Sequence, residues 1–209
     1  MPLPVCPSNG LPIYAKFTKE QIARLTPMVA SAEFKATAAD TPYYRAAWIM
    51  ERAGDRPADD IAWMVLQASW EADEKPDLKR KYQQEYVAKL AALPKGKDLT
   101  DWLWLQARLA NGQRELGRFA ESAATIDALL PQANEALEKA KAVGDAKSDE
   151  VRGAEFLVEF LKDLRAVSAA GNSSSQPVAM LPPQIARAFC KEGRAELNEI
   201  DRAACEDIR

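Results

Sequence analysis

Hydrophobic side chains recur every three or four positions along most of this chain, and polar residues lie between them. The spacing is clearest between residues 78 and 93, where the apolar positions lie close to four residues apart: Leu78, Tyr82, Tyr86, Leu90 and Leu93. One face of an α-helix has this period, whereas a half-buried strand alternates at every second residue. Since no long stretch of the sequence alternates strictly, the pattern predicts an all-α protein.

Turn-forming residues divide this pattern into separate helices. Thr41-Pro42 combines a helix cap with a proline suited to the first helical position, and Gly54 is placed to end that helix in a left-handed conformation. The next helix is predicted over 58–73, and its many apolar positions indicate a buried central element. Gly117 ends a later helix, and we expect Pro131 to kink or restart the one that follows.

Proline, glycine and serine mark two stretches of different character. The first 17 residues contain four prolines and the turn sequence Ser8-Asn9-Gly10, and a Gly-Asn-Ser-Ser-Ser run precedes three further prolines near residue 180. Such composition is typical of loops and linkers. The predicted organisation therefore has four parts: an extended N-terminal segment 1–17, a helical domain 18–168, a flexible linker 169–183 and a C-terminal helical segment 184–209.

The composition excludes several classes of function. The chain has no histidine, so Ser-His-Asp and Cys-His catalytic sites and imidazole metal sites are excluded. Its 28 basic and 31 acidic side chains give a net charge of −3, which argues against binding to nucleic acid or anionic lipid. No apolar run approaches the roughly 18 residues of a membrane span. Phosphate-loop, serine-hydrolase and zinc-protease motifs are also missing, so we predict no catalytic residue, metal site or cofactor.

Three cysteines, Cys6, Cys190 and Cys205, are candidates for redox chemistry or for a disulfide bond. Three cysteines are too few for a disulfide-rich scaffold. They could form one disulfide bond and leave one free thiol. Cys190 and Cys205 cannot bond within one straight helix, because the chain between them would rise about 22 Å. Gly193 offers a break in that helix. A bond between the two would favour the periplasm or the cell exterior.

Two segments share the order helix, glycine-centred turn, helix: 42–72 around Gly54 and 99–130 around Gly117. In the second segment the large, small and turn residues resemble the tetratricopeptide (TPR) motif: Leu109, Ala110, Gly117, Phe119, Ser122 and Ile126. Gln106 departs from the early tryptophan of that motif, and the two glycines are not separated by a multiple of its roughly 34-residue period. The resemblance implies antiparallel helix pairs stacked in a TPR-like right-handed array or bundle, and a role in binding other proteins.

The N-terminal sequence Cys6-Pro7-Ser8-Asn9-Gly10 resembles half of a Cys-Pro-x-Cys-Gly knuckle, with Asn9 in place of the second cysteine. Together with residues 43–48 and 116–119, it resembles an uncharacterised bacterial family that joins such a knuckle to TPR-like helices. This resemblance implies a bacterial origin and a zinc- or cysteine-rich portion upstream, and it implies no reaction. The chain opens within a proline-rich segment that contains a cysteine, so we expect that Met1 was added to a truncated or mature chain. The start of the chain has no signal-peptide pattern, and both the bacterial cytoplasm and the periplasm stay open.

These patterns lead us to expect a non-enzymatic scaffold for protein–protein interaction, with a groove that binds a protein or peptide. Aromatic and arginine side chains are the usual anchors in such grooves, since they supply contact area and bind carboxylates. The candidates for the groove walls are Tyr44, Arg45, Trp48, Arg108 and Arg114.

Two other classes of function stay open at this point. Asp59-Asp60, or the acidic group between Glu71 and Glu74, could belong to a carboxylate-based metal-binding or hydrolytic domain. Asp59-Asp60 falls in the first turn of a predicted helix, however, where negative charge stabilises the helix dipole. The chain could also be a structural subunit of an assembly, and its sequence leaves the oligomeric state open.

Overall fold

The helices follow the hydrophobic pattern of the sequence closely. A computed structural model describes residues 3–96, 98–145, 148–193 and 197–208. In these residues the backbone forms ten α-helices and no β-strand, which confirms the all-α prediction. The helices belong to two compact units that divide between Leu93 and Pro94. This boundary differs from the predicted single domain over 18–168, because the helices on each side of it pack mainly among themselves.

The first unit contains five helices joined by short connections. They are α1 (Lys19–Ala30), α2 (Ala32–Ala36), α3 (Pro42–Ala53), α4 (Ala58–Glu71) and α5 (Pro76–Ala91). Helix α3 packs on α4 and α4 packs on α5, while α1 contacts both α2 and α3. Helix α4 is buried along one side, where Val65 and Ala68 lie, whereas Trp70 is exposed. The predicted central position of 58–73 therefore holds for most of this helix but not for all its aromatic residues.

Local capping contacts mark the starts of α1 and α3 and the end of α3 in this unit. Thr18 and Gln21 form a capping box at α1, and the side chain of Thr41 accepts a hydrogen bond from the amide of Tyr44 at the start of α3. Gly54 ends α3 with φ of 64°, a left-handed conformation that glycine adopts without a steric penalty. Local sequence is therefore sufficient to place these boundaries.

The second unit is built on three long helices, α6 (Leu99–Glu115), α7 (Phe119–Val143) and α8 (Asp149–Ala169). Helix α7 packs against both α6 and α8. All three contribute buried side chains to one core: Leu103, Ala107, Ile126, Leu129, Leu157, Leu161 and Leu164. Pro131 lies inside α7, so of the two expected alternatives, a kink or a restart, the helix does not restart there.

The stretch 169–183, predicted as a flexible linker, is instead packed into the second unit. Asn172, Pro177 and Val178 are buried, and the 3-10 turn Val178–Met180 contacts α8. The segment is ordered because the main chain and the side chain of Asn172 make hydrogen bonds to buried charged groups, described below. Composition predicts a loop correctly here, but it does not reveal these tertiary bonds.

Two short helices, α9 (Pro183–Glu192) and α10 (Glu199–Asp207), complete the second unit. A disulfide bond joins Cys190 in α9 to Cys205 in α10, with the Cα atoms 5.5 Å apart. Two cysteines at this separation cannot bond within one straight helix. Here α9 ends at Glu192, so Cys190 and Cys205 lie on different helices and can meet. The two helices and the 3-10 turn enclose a small core: Val178, Ala186, Leu197 and Cys205.

Candidate functional site

An open groove of about 490 Å³ lies in the second unit between α8 and residues 175–183, and we call it the α8 groove. Residues from the end of α6, from α8 and from the segment 175–183 form its walls. The lining side chains include Asn111, Arg114, Phe156, Glu159, Phe160, Asp163, Pro177 and Met180. Three separate parts of the chain thus meet in one surface feature.

Helix α8 presents a mixed aromatic and acidic face to this groove. Phe156, Glu159, Phe160 and Asp163 lie at positions i, i+3, i+4 and i+7, which share one side of an α-helix. The ring of Trp104 on α6 supports the two phenylalanines, with its centroid 5.7 Å from that of Phe156 and 5.9 Å from that of Phe160. Phe156 nevertheless remains 60 % exposed, so the groove displays a large apolar side chain to solvent.

The opposite wall is held in place by a buried arginine. Arg114 is fully buried, and its Nη1 donates hydrogen bonds to the carbonyl oxygens of Asn172 and Ser174 at 2.6 and 2.8 Å. Its Nε and Nη2 donate to the side-chain oxygen of Asn111 at 3.1 and 2.8 Å. Hydrogen bonds from a charged donor are stronger than those between neutral groups. Arg114 therefore anchors the chain just before the groove wall.

A buried carboxylate fixes the same wall from its other side. Asp201 on α10 is almost fully buried and accepts hydrogen bonds from the side-chain amide of Asn172 and the backbone amide of Val178, both at 2.8 Å. A third bond reaches it from the side-chain amide of Asn198 at 3.0 Å. Together, Arg114 and Asp201 hold Asn172, Ser174 and Val178 by buried or partly buried hydrogen bonds, and these bonds preorganise the wall.

The accessible charge of the α8 groove is negative. Among its described lining residues, Glu159 and Asp163 carry the negative charge and Arg114 the positive charge, and the buried Arg114 also lies 3.6 Å from the carboxylate of Glu115. No ion pair involves Glu159 or Asp163 within the described part of the chain. Partial burial raises the pKa of Asp163, and the neighbouring Glu159 raises it further. The groove thus combines apolar surface with two carboxylates that form no ion pair with the described residues.

The five residues expected to line a groove are divided between the two units. Tyr44, Arg45 and Trp48 lie on α3 in the first unit, and Arg108 and Arg114 lie on α6 in the second. Arg114 lines the α8 groove, where it supports the wall rather than presenting an exposed anchor. Arg108 is half-buried and is not among the lining residues of this groove.

The three α3 residues make contacts within the first unit. The ring of Tyr44 stacks on that of Tyr82 with the centroids 4.5 Å apart. The guanidinium of Arg45 lies 4.5 Å from the centroid of the Phe34 ring, and the ring of Trp48 lies 5.7 Å from the same centroid. These contacts hold α3 against α5 and α2, and such packing is the ordinary role of aromatic side chains in a core.

The three cysteines differ in their bonding state. Cys190 and Cys205 form the disulfide bond, and Cys6 is a half-buried free thiol. Its sulfur lies 3.2 Å from the hydroxyl oxygen of Ser8, and this hydrogen bond lowers the thiol pKa. The surrounding turn is closed by a bond of 2.8 Å from the amide of Gly10 to the carbonyl of Cys6.

The acidic groups noted in the sequence occupy helix ends. Asp59 and Asp60 lie in the first turn of α4, as predicted, where they face the positive end of the helix dipole. Across the described residues, no group of three or more cysteine, aspartate or glutamate side chains is arranged to hold a metal ion. Within the same residues, none of the helices combines the length and hydrophobicity needed to cross a bilayer.

Sequence reasoning did not select the α8 face that lines the groove. Phe156 and Phe160 fit helical spacing as well as Leu157, Leu161 and Leu164 do, so spacing alone does not separate the groove face from the core face. The sequence of α8 nevertheless contains a signal for the groove face, because its apolar residues fall on two different faces of the helix. The three leucines form the stripe that enters the core, whereas the phenylalanines share a neighbouring face with acidic residues.

No protein-family model matches this chain, and neither a curated protein nor a solved structure does. The resemblances to the TPR motif and to a bacterial knuckle family therefore rest on the residues quoted for them. We infer the function from the chemistry of the α8 groove.

Proposed function

We propose that the protein is a non-enzymatic interaction module whose α8 groove binds a short peptide segment of a partner protein. The observation that carries this proposal is the exposed aromatic surface of Phe156 beside Phe160 and Met180 in one groove. Exposed apolar patches on folded proteins commonly mark interaction sites, and aromatic side chains dominate the binding energy of such sites.

The size and the construction of the groove suit a peptide. A volume of about 490 Å³ lies within the range of about 300 to 1,000 Å³ that is common for ligand sites. One wall is an α-helix, and the other contains Pro177, Pro182 and Pro183, whose backbone freedom is restricted. A groove that is ordered in advance loses little conformational entropy when a ligand binds.

The scaffold interpretation of the sequence fits this proposal. Helices α6, α7 and α8 pack consecutively and share one core, so they form a firm support for an exposed helical face. On the resemblances of the sequence, we further propose that the stack is TPR-like and that the protein is bacterial. The partner would then be a protein from the same organism, recognised through a peptide segment.

A selection experiment tests the proposal. The full chain is immobilised and used to select binders from a displayed library of random peptides, and a selected peptide is then titrated by fluorescence anisotropy. We expect Phe156→Ala to weaken binding by about tenfold or more, because it removes an aromatic anchor. Trp70→Ala is the matched control, since Trp70 is also an exposed aromatic residue but belongs to the first unit.

Two results would overturn the proposal. One is the absence of any selected peptide that binds the full chain in solution. The other is a selected peptide that binds Phe156→Ala as tightly as the unchanged protein. Circular dichroism of both variants verifies that the helices remain folded.

A further inference from the structure

We infer that the α8 groove recognises a basic side chain of the bound peptide, a lysine or an arginine, held between the carboxylates of Glu159 and Asp163 with its aliphatic stem over Phe156 and Phe160. This inference rests on the proposed peptide-binding function and names the chemistry of the partner. It concerns the same site and adds the charge that the partner must carry.

The first argument is the spacing of the acidic residues. Glu159 and Asp163 are four residues apart on α8, so their side chains lie one helical turn apart on the groove face. Both are exposed. Like charges at this spacing repel each other, and a cation bound between them relieves that repulsion.

The second argument is the lack of an internal counter-charge. Elsewhere on α8, Arg165 forms an ion pair with Asp127, and Arg152 pairs with Asp149. Within the described residues, no corresponding ion pair forms at Glu159 or Asp163. Among the described lining residues the cation is Arg114, which is fully buried and donates hydrogen bonds to Asn111 and to backbone carbonyls. The two groove carboxylates are therefore the ones that a ligand can neutralise.

The third argument is the surface next to these carboxylates. Phe156 and Phe160 alternate with Glu159 and Asp163 along the same face, and Met180 lies in the same groove. Lysine and arginine carry a charged group on a flexible apolar stem, which packs on hydrophobic surface while its end stays polar. An aromatic ring also attracts a cation placed over its face. A metal ion would contact only the carboxylates of this surface, and an acidic peptide would contact only its apolar part.

Charge-matched peptides test the inference. Sequences selected from the library are expected to be enriched in lysine or arginine beside an apolar residue. A selected peptide is then synthesised with its basic residue intact and with an uncharged isostere, norleucine for lysine or citrulline for arginine. We expect the isostere to bind the unchanged protein about tenfold more weakly, which corresponds to the loss of one favourable ionic contact.

Variants of the protein locate this contact. In the double variant Glu159→Gln with Asp163→Asn, the charged peptide and its isostere are expected to bind equally, since the partner carboxylates are absent. Glu150→Gln serves as the matched control, because Glu150 lies in the first turn of the same helix and outside the groove. This control should keep the full preference for the charged peptide.

The possible results separate the inference from the proposed function. If the isostere binds the unchanged protein as tightly as the charged peptide, the charge inference is overturned while peptide binding stands. If neither peptide binds, the proposed function itself fails. A free diamine, 1,5-diaminopentane, is titrated as a competitor, and displacement at concentrations equal to those of the peptide would overturn a peptide as the source of the cation.

Discussion

Nη1 of Arg114 donates a hydrogen bond of 2.6 Å to the main-chain carbonyl of Asn172, which lies 58 residues further along the chain. The bond ties the end of α6 to the segment that forms one wall of the α8 groove. It is buried from solvent, and its donor is charged. The order of the groove wall therefore depends on a contact between residues that are remote in sequence.

Replacement of Arg114 is expected to destabilise the second unit strongly. Arg114→Ala leaves the carbonyls of Asn172 and Ser174 and the side chain of Asn111 without their donor, and we expect a loss of about 3 kcal/mol in the free energy of unfolding. Arg114→Lys should restore only part of it, since an ammonium group lacks the planar fork of donors. Urea denaturation provides the measurement.

The control for this prediction is Arg118→Ala. Arg118 is an exposed residue at the start of α7 with one long ion pair to Glu121, and exposed pairs contribute at most about 1 kcal/mol. If Arg114→Ala unfolds at the same urea concentration as this control, the anchoring role of Arg114 is wrong.

Reduction of the disulfide is expected to loosen the C-terminal helices. Cys190 and Cys205 are 15 residues apart, and closing a loop of this length stabilises a protein by about 3 kcal/mol in the chain-entropy description. Cys205→Ser should therefore increase hydrogen exchange in α9 and α10 more than in α6 and α7. Cys6→Ser is the control and should leave exchange unchanged, since Cys6 is a free thiol.

Thiol counting gives a direct measurement of the same bond. In denaturant without reductant, the chain should show the single reactive thiol of Cys6, and after reduction it should show all 3 cysteines. Detection of all the thiols before reduction would show that the disulfide bond is not present in the isolated protein.

The pH dependence of stability should reveal the cost of the negative charge on Asp163, which is partly desolvated and lies near Glu159. Because the folded state raises the pKa of this carboxyl, its contribution to stability is present at low pH and is lost as pH rises through the folded pKa. Asp163→Asn should accordingly unfold at a higher temperature than the unchanged protein at neutral pH. The difference should vanish below the ordinary aspartate value of 3.8.

Peptide binding should show the opposite dependence on pH. Acidification protonates Asp163 at a higher pH than an ordinary aspartate, so affinity for a basic peptide should fall early in an acid titration. The groove also contains the carboxylate of Glu159 and the buried guanidinium of Arg114. Anisotropy titrations with the single variant Asp163→Asn test this, since an unaltered pH profile would contradict a role for Asp163.

Two tyrosines in the first unit should differ in their contribution to stability. The hydroxyl of Tyr82 donates to the carboxylate of Asp40 at 2.8 Å and accepts from the buried amide of Thr41 at 3.2 Å, whereas that of Tyr44 donates to Glu85 alone. Tyr82→Phe leaves that amide unsatisfied, and we expect a loss of about 2 kcal/mol.

Tyr44→Phe is the matched comparison and should cost about 1 kcal/mol, since its hydroxyl is only partly buried. Thermal denaturation of both variants provides the measurement. Equal stability of the two variants would show that the bond between Tyr82 and Thr41 contributes little.

The sequence by itself determined the helices and most of their ends. Thr18 with Gln21, Thr41 with Pro42, and Gly54 act through bonds or backbone preferences within a few residues, and such local effects can be read directly from order along the chain. The leucine stripe of α8 was equally readable, since helical spacing alone places those residues on one face.

Only the tertiary structure decided which face of α8 is exposed and which groups hold the groove wall. Phe156 and Phe160 fit a core pattern as well as Leu157 does, and burial depends on what packs against each face. The bonds of Asn172 to Arg114 and Asp201 join residues 58 and 29 positions apart. Composition predicted a flexible linker at 169–183 because a local pattern contains no information about such remote partners.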